Sequence, residues 1–394
     1  MNFELTEEHL AVQEAARDFA QKELKPGVIE RDSKMIYALE QIKMMGDLGF
    51  MGMMVSPEYG GGGMDTISYC LAMEEISKID NSCSVAMSVN NSLVCWGLET
   101  FGSEDQKQKY LTKLAVGEWI GAFCLSEPEA GSDATSQQTT AIDMGDHYLL
   151  NGTKNWITNG GTSKIHLVIA QTDREKGHRG INAFIVETDW DGVGIGAKED
   201  KLGIRSSDTH TIMYTDVKVP KENRIGEDGF GFTFAMKTLS GGRIGIASQA
   251  LGIASGAYEL ALKYSKERKA FGKEINQHQI IAFKLADMAT EIDAARMMVH
   301  RAAWMKDEKM DYTMSAAMAK VFASEVAMKH TVEAVQIHGG YGFVKEYHVE
   351  RLMRDAKITQ IYEGTSEIQR VVISREIIKK GNLYAPILGA AVKV

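Results

Sequence analysis

Three short segments of this sequence carry residue types that suit chemistry as well as packing. The first spans 123–133, where the hydroxyl groups of Ser126 and Ser132 lie close to Pro128 and Gly131 along the chain. Short hydroxyl donors beside a glycine, which allows close backbone approach, suit a flat heteroaromatic ligand with polar edges. An ordinary turn is the alternative interpretation of the same loop.

The second segment, 155–161, reads Asn-Trp-Ile-Thr-Asn-Gly-Gly. This pattern is typical of a strand that ends in a tight turn. A buried Trp156 beside a hairpin is the alternative to a binding role for this segment.

The third segment joins the glycine-rich stretch 336–343 to the stretch 361–370 further along the chain. Glycines beside a helix end allow a pyrophosphate or an aromatic ring to approach backbone N–H groups. The pattern is not G-x-G-x-x-G after a strand, which disfavours a Rossmann site. Glu363 precedes Gly364 and Thr365, and Thr365 is a candidate N-cap of the last helix. A solvated charge at the helix start is the alternative role for Glu363.

The elements that must position these segments follow the order helical, β, helical. Thr6 predicts an N-cap for a first helix, and Ser103 with Gln106 predicts a capping box, in a region that is helical up to residue 117. Turn signals separate short strands between 118 and 224. Helical periodicity returns over 225–394 and predicts a bundle seam. The residues of this seam are Ile281, Leu285, Met288, Ile292, Ala295 and Val299.

The composition excludes several classes of protein. The 394 residues include 44 Lys plus Arg and 53 Asp plus Glu, and the net charge of −9 predicts no nucleic-acid partner. No stretch approaches 18 uninterrupted apolar residues, so we expect no membrane span. The four cysteines lack metal-ligand spacing and are expected to be reduced thiols, with no metal site. Neither a secretory nor a transit signal opens the chain, which predicts a cytoplasmic protein, with a processed mitochondrial matrix form as the alternative.

From the first helix to about residue 378, the sequence resembles the acyl-CoA dehydrogenase family. The most specific segments are 124–134 and 336–355, where the spacing of Ser, Glu, Gly, Asp and basic residues is similar to that of the family. The amino-acid sequence of residues 362–370 most resembles that of the short-chain, butyryl-CoA branch of the family. The resemblance implies three regions: a helical N-terminal domain (1–117), a β-barrel-like middle domain (118–224) and a C-terminal four-helix-bundle domain (225–394). The tail 381–394 has no assigned role.

The resemblance implies an FAD-dependent α,β-dehydrogenation of an acyl-CoA thioester to the trans-2-enoyl-CoA. A base removes the α-proton on one face, and flavin N5 accepts the β-hydrogen as hydride on the other. The family's base maps to Glu363, and the position that a minority branch uses is Gly242, which cannot accept a proton. Burial against an apolar ligand raises a carboxyl pKa toward neutrality and improves such a base. The backbone N–H of Glu363 and a ribityl hydroxyl of FAD are the implied donors to the thioester oxygen.

The family pattern also implies residues for both ligands. Arg268 and Phe271 match its pyrophosphate and adenine site, although a charge run such as 267–273 is usually a solvated helix end. Gln279 and the 336–340 loop would come from a neighbouring subunit, which implies a homotetramer. The implied FAD-binding residues are Phe123, Leu125, Ser126, Ser132, Trp156, Ile157, Thr158, Arg268, Phe271, Gln279, Gln336, Ile337, Gly339, Gly340, Thr365 and Glu367. The implied substrate-binding residues are Ser132, Ser240, Arg243, Tyr362 and Gly364.

Some alternatives stay open in the sequence. Arg243 is a substrate contact or a structural ion-pair partner. Ser84 stands where the glutaryl-CoA branch has an arginine, which disfavours a dicarboxylic substrate. Electrons are expected to pass to an electron-transfer flavoprotein. A flavin monooxygenase or oxidase of the same fold, or a non-catalytic FAD-binding protein, is the alternative function. Glu363 argues against the monooxygenase and the non-catalytic protein, while oxidase activity stays open.

Overall fold

Eight short α-helices make up the N-terminal region of this computed structural model, which describes residues 4–380. The tail 381–394 therefore lies outside the described residues. Segments of π-helix at Ala20–Leu24, Val89–Cys95 and Lys107–Leu111 continue or connect several of these helices. The helices are α1 Glu7–Phe19, α2 Val28–Lys34, α3 Leu39–Asp47, α4 Thr66–Ser77, α5 Asn81–Ser88, α6 Trp96–Phe101, α7 Glu104–Gln106 and α8 Thr112–Ala115.

The predicted helix starts are confirmed in this region. The Thr6 hydroxyl accepts a hydrogen bond from the backbone N–H of His9 at 3.2 Å. Ser103 and Gln106 form the reciprocal capping box, with donor–acceptor distances of 3.2 and 3.1 Å. Each cap satisfies a backbone N–H group that the first turn of a helix leaves unpaired.

The π-helical segment Val89–Cys95 is fixed by two buried amide side chains. Asn90 donates to the Met51 carbonyl at 2.8 Å and accepts from the backbone N–H of Gly121 at 3.0 Å. Asn91 accepts from the backbone N–H of Met53 at 2.8 Å. These bonds tie the segment both to the preceding loop and to the first strand. Wide π turns are frequent at functional sites, and this one borders the cavity described below.

The middle region is an eight-stranded sheet of order β6-β7-β3-β2-β4-β5-β8, with β1 paired in parallel to β4. Strands predicted at 167–170, 183–186 and 211–219 are confirmed within β4, β5 and β7. The strands are β1 Gly121–Cys124, β2 Thr140–Asp143, β3 His147–Thr158, β4 Ile165–Gln171, β5 Ile181–Glu187, β6 Val193–Lys198, β7 Thr209–Pro220 and β8 Arg224–Ile225.

Long helices form the C-terminal region. α9, α10 and α11 pack against one another, and α13 packs on α11. The predicted seam lies on α10, where Leu285, Met288 and Val299 are buried in the main apolar core. The elements are α9 Gly231–Glu267, β9 Lys269–Ala270, β10 Lys273–Glu274, α10 Gln279–Asp307, α11 Thr313–His338, α12 His348–Ile358 and α13 Ser366–Lys380.

The order helical, β, helical is thus confirmed, while the boundaries at 117 and 224 stay predictions. One buried carboxylate, Asp355 on α12, joins the three regions. It accepts hydrogen bonds from the Asn81 amide at 3.0 Å, the backbone N–H of Ile204 at 2.6 Å and Arg351 at 2.9 Å. All four cysteines are buried and none forms a disulfide bond within the described residues, as expected. No helix within residues 4–380 is long and apolar enough to cross a membrane.

Candidate active site

A cavity of about 200 Å³ lies where the three regions meet. One wall comes from the helix run 85–93, a second from α9, and the rest from the loops after β1 and β3 and the turn before α13. The side chains of the helical walls are apolar, namely Val85, Val89, Leu93, Met236 and Leu239.

Most of the predicted site residues meet around this cavity. Phe123 at the end of β1 and Leu125, Ser126 and Ser132 in the loop after it line the cavity, and the end of β3 contributes Trp156, Ile157 and Thr158. Arg243 comes from α9, and Tyr362, Glu363 and Gly364 come from the turn before α13. Residues far apart in sequence thus face one cavity.

Glu363 presents its carboxyl group to this cavity. Its backbone is left-handed, with φ of 50°, and Gly364 follows with φ of 89°. A non-glycine residue seldom adopts this conformation, which persists only where surrounding contacts hold it. Oε2 of Glu363 is inaccessible to solvent and has no hydrogen-bond partner in the described structure. The alternative of a solvated charge at a helix start is therefore wrong.

The electrostatic surroundings prepare this carboxyl group to accept a proton. Burial is the main cause that raises the pKa of Glu363 to about 7, while the positive charges of Lys320 and Arg243 act in the opposite direction. A carboxyl group with such a pKa is a stronger base than an exposed one and is about half ionised at neutral pH. The arrangement can remove a proton from a weakly acidic C–H group.

Several contacts hold the turn that carries Glu363. The Gln369 amide donates to the carbonyls of Glu363 at 3.1 Å and Gly364 at 2.8 Å. The Tyr362 hydroxyl donates to Gln249 on α9. Thr365 accepts from the backbone N–H of Ile368 at 3.2 Å, so its predicted role as a helix cap is confirmed.

Arg243 is buried beside the cavity and forms no ion pair with any residue between 4 and 380. Its Nε atom has no hydrogen-bond partner there, and burial lowers the pKa of the guanidinium group. Within the described residues this cation therefore stays available to a ligand, which favours the substrate role over the structural ion pair.

The end of β3 departs from regular strand geometry. The pairing register with β7 shifts between Lys154 and Ile157, and Trp156 has φ of 58°. Trp156 is 58% exposed and lines the cavity, so the alternative of a buried tryptophan is wrong. The irregular backbone turns the indole ring to the site.

A buried ion pair supports the loop after β1 from behind. Lys154 is fully buried and donates to the Glu127 carboxylate at 2.7 Å, the Leu125 carbonyl at 3.1 Å and the Ile169 carbonyl at 2.6 Å. Burial would raise the pKa of Glu127, but the charge of Lys154 and hydrogen bonds from residues 138 and 139 hold it below its usual value. A charged residue buried in this way persists only because its donors are satisfied.

A second, more open groove of about 530 Å³ lies away from this cavity. It contains four of the predicted cofactor residues, Arg268, Ile337, Gly339 and Gly340. His338, within the predicted 336–340 loop, also lines the groove, and the remaining wall residues are Tyr264, Ile275, Tyr341 and Val344. Tyr264, His338 and Tyr341 are aromatic, and the Arg268 guanidinium lies 5.7 Å from the centre of the Tyr341 ring.

Other predicted residues lie outside both volumes. The Ser240 hydroxyl donates to the Met236 carbonyl of its own helix at 3.0 Å. Phe271 is 97% exposed, and Gln279, Gln336 and Glu367 also have exposed side chains. Thr365 is engaged as a cap. In a single chain, none of these residues lines the cavity that contains Glu363.

Sequence reasoning missed Lys320 and Gln369, which lie directly behind the site. Lys320 lies in the small-residue stretch 314–324 of α11, at helical spacing from the buried Ala316, Ala323 and Ala327. A lysine within an apolar stripe was the available signal. Gln369 carried no such signal, because its importance comes from the two carbonyls that it reaches.

Models of three protein domains match this chain in sequence. The N-terminal domain of acyl-CoA dehydrogenase matches residues 6–118, the middle domain matches 122–217, and the C-terminal domain matches 229–378. Together they span nearly all of the part that the structure describes.

Close relatives match over their full lengths. The short-chain specific acyl-CoA dehydrogenase of Clostridium acetobutylicum is 50% identical over 379 residues, which are 96% of this chain and 100% of the relative. The solved structure of butyryl-CoA dehydrogenase from Megasphaera elsdenii is 49% identical, with a TM-score of 0.95 over 96% of this chain and 100% of that chain.

A second solved structure is described as an electron transferring flavoprotein of Acidaminococcus fermentans, in work toward a mechanism of flavin-based electron bifurcation. One of its chains is 50% identical to this one, with a TM-score of 0.95 over 96% of this chain and 100% of that chain. The three domain models match in the order N-terminal, middle, C-terminal, and the relatives are about 50% identical over their full lengths. This chain therefore belongs to the acyl-CoA dehydrogenase family.

Proposed function

We propose that this chain catalyses the FAD-dependent α,β-dehydrogenation of a short-chain acyl-CoA to the trans-2-enoyl-CoA, with Glu363 as the base. The observation that carries the proposal is the carboxyl group of Glu363, which faces a largely apolar cavity and has its pKa raised to about 7 by burial. The names of the relatives, short-chain specific and butyryl-CoA dehydrogenase, support the substrate class.

The residues present fit FAD. Around the cavity, Ser126 and Thr158 offer hydroxyl groups and Trp156 offers an aromatic face, while a β-carbon added at Gly131 would meet nothing within 4 Å. These groups suit the polar edge and the flat face of a flavin ring. FAD supplies a hydride acceptor when bound. The cavity wall residues Phe123, Leu125, Ser132 and Ile157 would complete the ring's surroundings.

The groove with Arg268 suits the other end of FAD. Gly339 and Gly340 are open there, since an added β-carbon would meet nothing within 4 Å, and Arg268 provides a cation for a pyrophosphate. We assign Phe271, Gln279, Gln336 and Ile337 to this end, and Thr365 and Glu367 to the cofactor near the base.

This division of the cofactor residues supports an assembly of at least two copies, which the homotetramer expected from the sequence would provide. The groove and the cavity are separate in one chain, and no residue of 4–380 lines both. Phe271 is 97% exposed and Phe343 is 85% exposed, which is typical of surfaces that another chain covers. In this proposal a second copy brings its groove residues to the cofactor of the first.

The chain's own residues then perform the proton transfer. The apolar wall excludes water, Glu363 takes the α-proton at its carboxylate, and its backbone N–H donates to the thioester oxygen. General-base catalysis contributes about 10²–10⁴-fold, so the donor to the developing enolate charge is needed as well. Arg243, Ser132, Ser240, Tyr362 and Gly364 are assigned to the thioester and its arm.

The electron acceptor that we propose is an electron-transfer flavoprotein, supported by the solved structure from Acidaminococcus fermentans. The monooxygenase and non-catalytic alternatives leave Glu363 without a purpose, whereas an oxidase would use the same base and differs only in passing the electrons to dioxygen. The cytoplasmic location stays a prediction.

Anaerobic addition of butyryl-CoA to the purified holoprotein tests the proposal. We expect the visible absorbance of the bound flavin to bleach, with straight-chain C4 thioesters faster than C8. Oxidised flavin that persists with every C4 to C8 thioester would contradict the dehydrogenase function. A colourless preparation that does not take up added FAD would contradict the cofactor.

A further inference from the structure

A lysine without an assigned role lies behind the proposed catalytic base. Lys320 on α11 is fully buried, and its Nζ donates to the Gly364 carbonyl at 2.8 Å. The Gln369 amide donates to the same carbonyl at 2.8 Å. Two donors thus hold one peptide group, immediately after the residue whose backbone is left-handed.

Burying an ammonium group is unfavourable unless something nearby compensates for it. The pKa of Lys320 is lowered to about 7, mainly by burial and also by the charge of Arg243, while the charges of Glu363 and Glu367 oppose this shift only in part. The groups that compensate for the buried ammonium group of Lys320 are therefore the carboxyl group of Glu363 and the Gly364 carbonyl.

We propose that Lys320 is a positioning residue for the catalytic base: it fixes the turn at Gly364 and stabilises the carboxylate form of Glu363 from behind the cavity. This inference rests on the proposed function. Lys320 does not line the cavity, so it acts through the base and has no contact with substrate. Gln369 shares the first task because it also binds the carbonyl, but it is neutral and does not share the second.

Other titratable groups also face Glu363. Arg243 on α9 lowers the pKa of its carboxyl group, as Lys320 does. Glu367 on α13 acts on Lys320, Tyr312 before α11 acts on Arg243, and the phenols of Tyr362 and Tyr69 lie within electrostatic range of the carboxylate. Arg243 remains when Lys320 is replaced, so removal of Lys320 shifts the base without abolishing it.

The two tasks separate in two variants. Lys320→Gln removes the charge and keeps a donor for the Gly364 carbonyl, whereas Lys320→Met removes both. We expect both to move the acid limb of the kcat/KM profile for butyryl-CoA to higher pH by about one unit, since loss of a nearby positive charge raises a carboxyl pKa. At pH 9 we expect kcat of Lys320→Met to fall about tenfold below that of Lys320→Gln, with KM unchanged.

Lys306→Met is the matched control, because burial also lowers the pKa of Lys306 on α10 and its Nζ contacts the Met54 sulfur, not the site. This variant should keep the wild-type pH profile. If both Lys320 variants also keep the wild-type profile and kcat, the inference is wrong.

A second measurement needs no turnover. Urea midpoints of the wild type, Lys320→Met, Glu363→Gln and the double variant form a cycle. We expect the double variant to lose less than the sum of the two single losses, because each single change leaves its partner uncompensated. Additive losses would overturn the inference. Failure of the wild type to bleach with any thioester would instead refute the proposed function, and the cycle would still measure the coupling of Lys320 to Glu363.

Discussion

The carboxyl group of Glu363 occupies the space that a side chain at position 242 would need. A β-carbon added at Gly242 would overlap Oε2 of Glu363 and would lie 2.8 Å from Cδ2 of Leu93. The two positions that the family resemblance offered for a base are therefore mutually exclusive. In this chain the glycine on α9 provides the room, and the glutamate before α13 fills it.

Gly242→Ala should displace the Glu363 carboxyl group and slow flavin reduction by butyryl-CoA by about 10²-fold, because small misplacements of a reacting group have effects of that size. Gly241→Ala is its control, since an added β-carbon there meets only the Ser92 carbonyl and the Tyr312 hydroxyl, both at 3.9 Å. Gly241→Ala should leave the rate unchanged and stabilise the helix by up to about 1 kcal/mol. Equal rates for the two variants would contradict this account.

Glu363→Gln should retain FAD and bind acyl-CoA while losing about 10²–10⁴-fold in the rate of flavin reduction, because an amide does not accept the α-proton. Stopped-flow bleaching under anaerobic conditions measures the rate, and Glu222→Gln, at an exposed position in the loop between β7 and β8, is the control. Normal turnover of Glu363→Gln would show that the base lies elsewhere.

The pH dependence follows from the pKa of about 7 for Glu363. Only the carboxylate accepts a proton, so the rate of flavin reduction should fall as the pH is lowered through about 7. Measured between pH 5.5 and 9 as kcat/KM for butyryl-CoA, which reports the free enzyme, the wild type should show a midpoint near 7. A rate that is constant down to pH 5.5 would mean that the base keeps an ordinary carboxyl pKa.

Arg268→Ala should weaken FAD retention by at least about tenfold, since hydrogen bonds to charged groups contribute about 1.5–3 kcal/mol. The exposed neighbour Lys269 provides the control Lys269→Ala. Flavin absorbance per mole of protein after gel filtration gives the readout. Flavin content that is unchanged in Arg268→Ala would remove this residue from the cofactor site.

Lys154→Met should lower the free energy of unfolding by about 3–5 kcal/mol, because Glu127 would remain as an unpaired buried charge. Urea denaturation measures the loss, and Lys164→Met, at an exposed position, is the control. The double variant Lys154→Met with Glu127→Leu should recover part of the loss. A double variant less stable than Lys154→Met would show that the two residues do not act as a pair.

Much of the architecture was predictable because it depends on local patterns. Thr6, Ser103 and Thr365 cap the helices that their spacing predicted, and the α10 seam packs as its periodicity requires. The resemblance of short motifs to the family also identified most residues around the cavity. It could not show which of the predicted residues lie together in one chain and which lie in the separate groove.

The sequence by itself determined the order of helical and β regions, the family and the identity of the candidate base. Only the tertiary structure decided that Trp156 is turned out toward the cavity, that Arg243 has no ion-pair partner within the described residues, and that Lys320 supports the turn of Glu363. Capping and periodicity are local properties that neighbours in sequence encode. The burial of Glu363, and therefore its pKa, depends on α9, α11 and α13 packing around it. These elements are far apart in sequence, so no local sequence pattern shows that they meet.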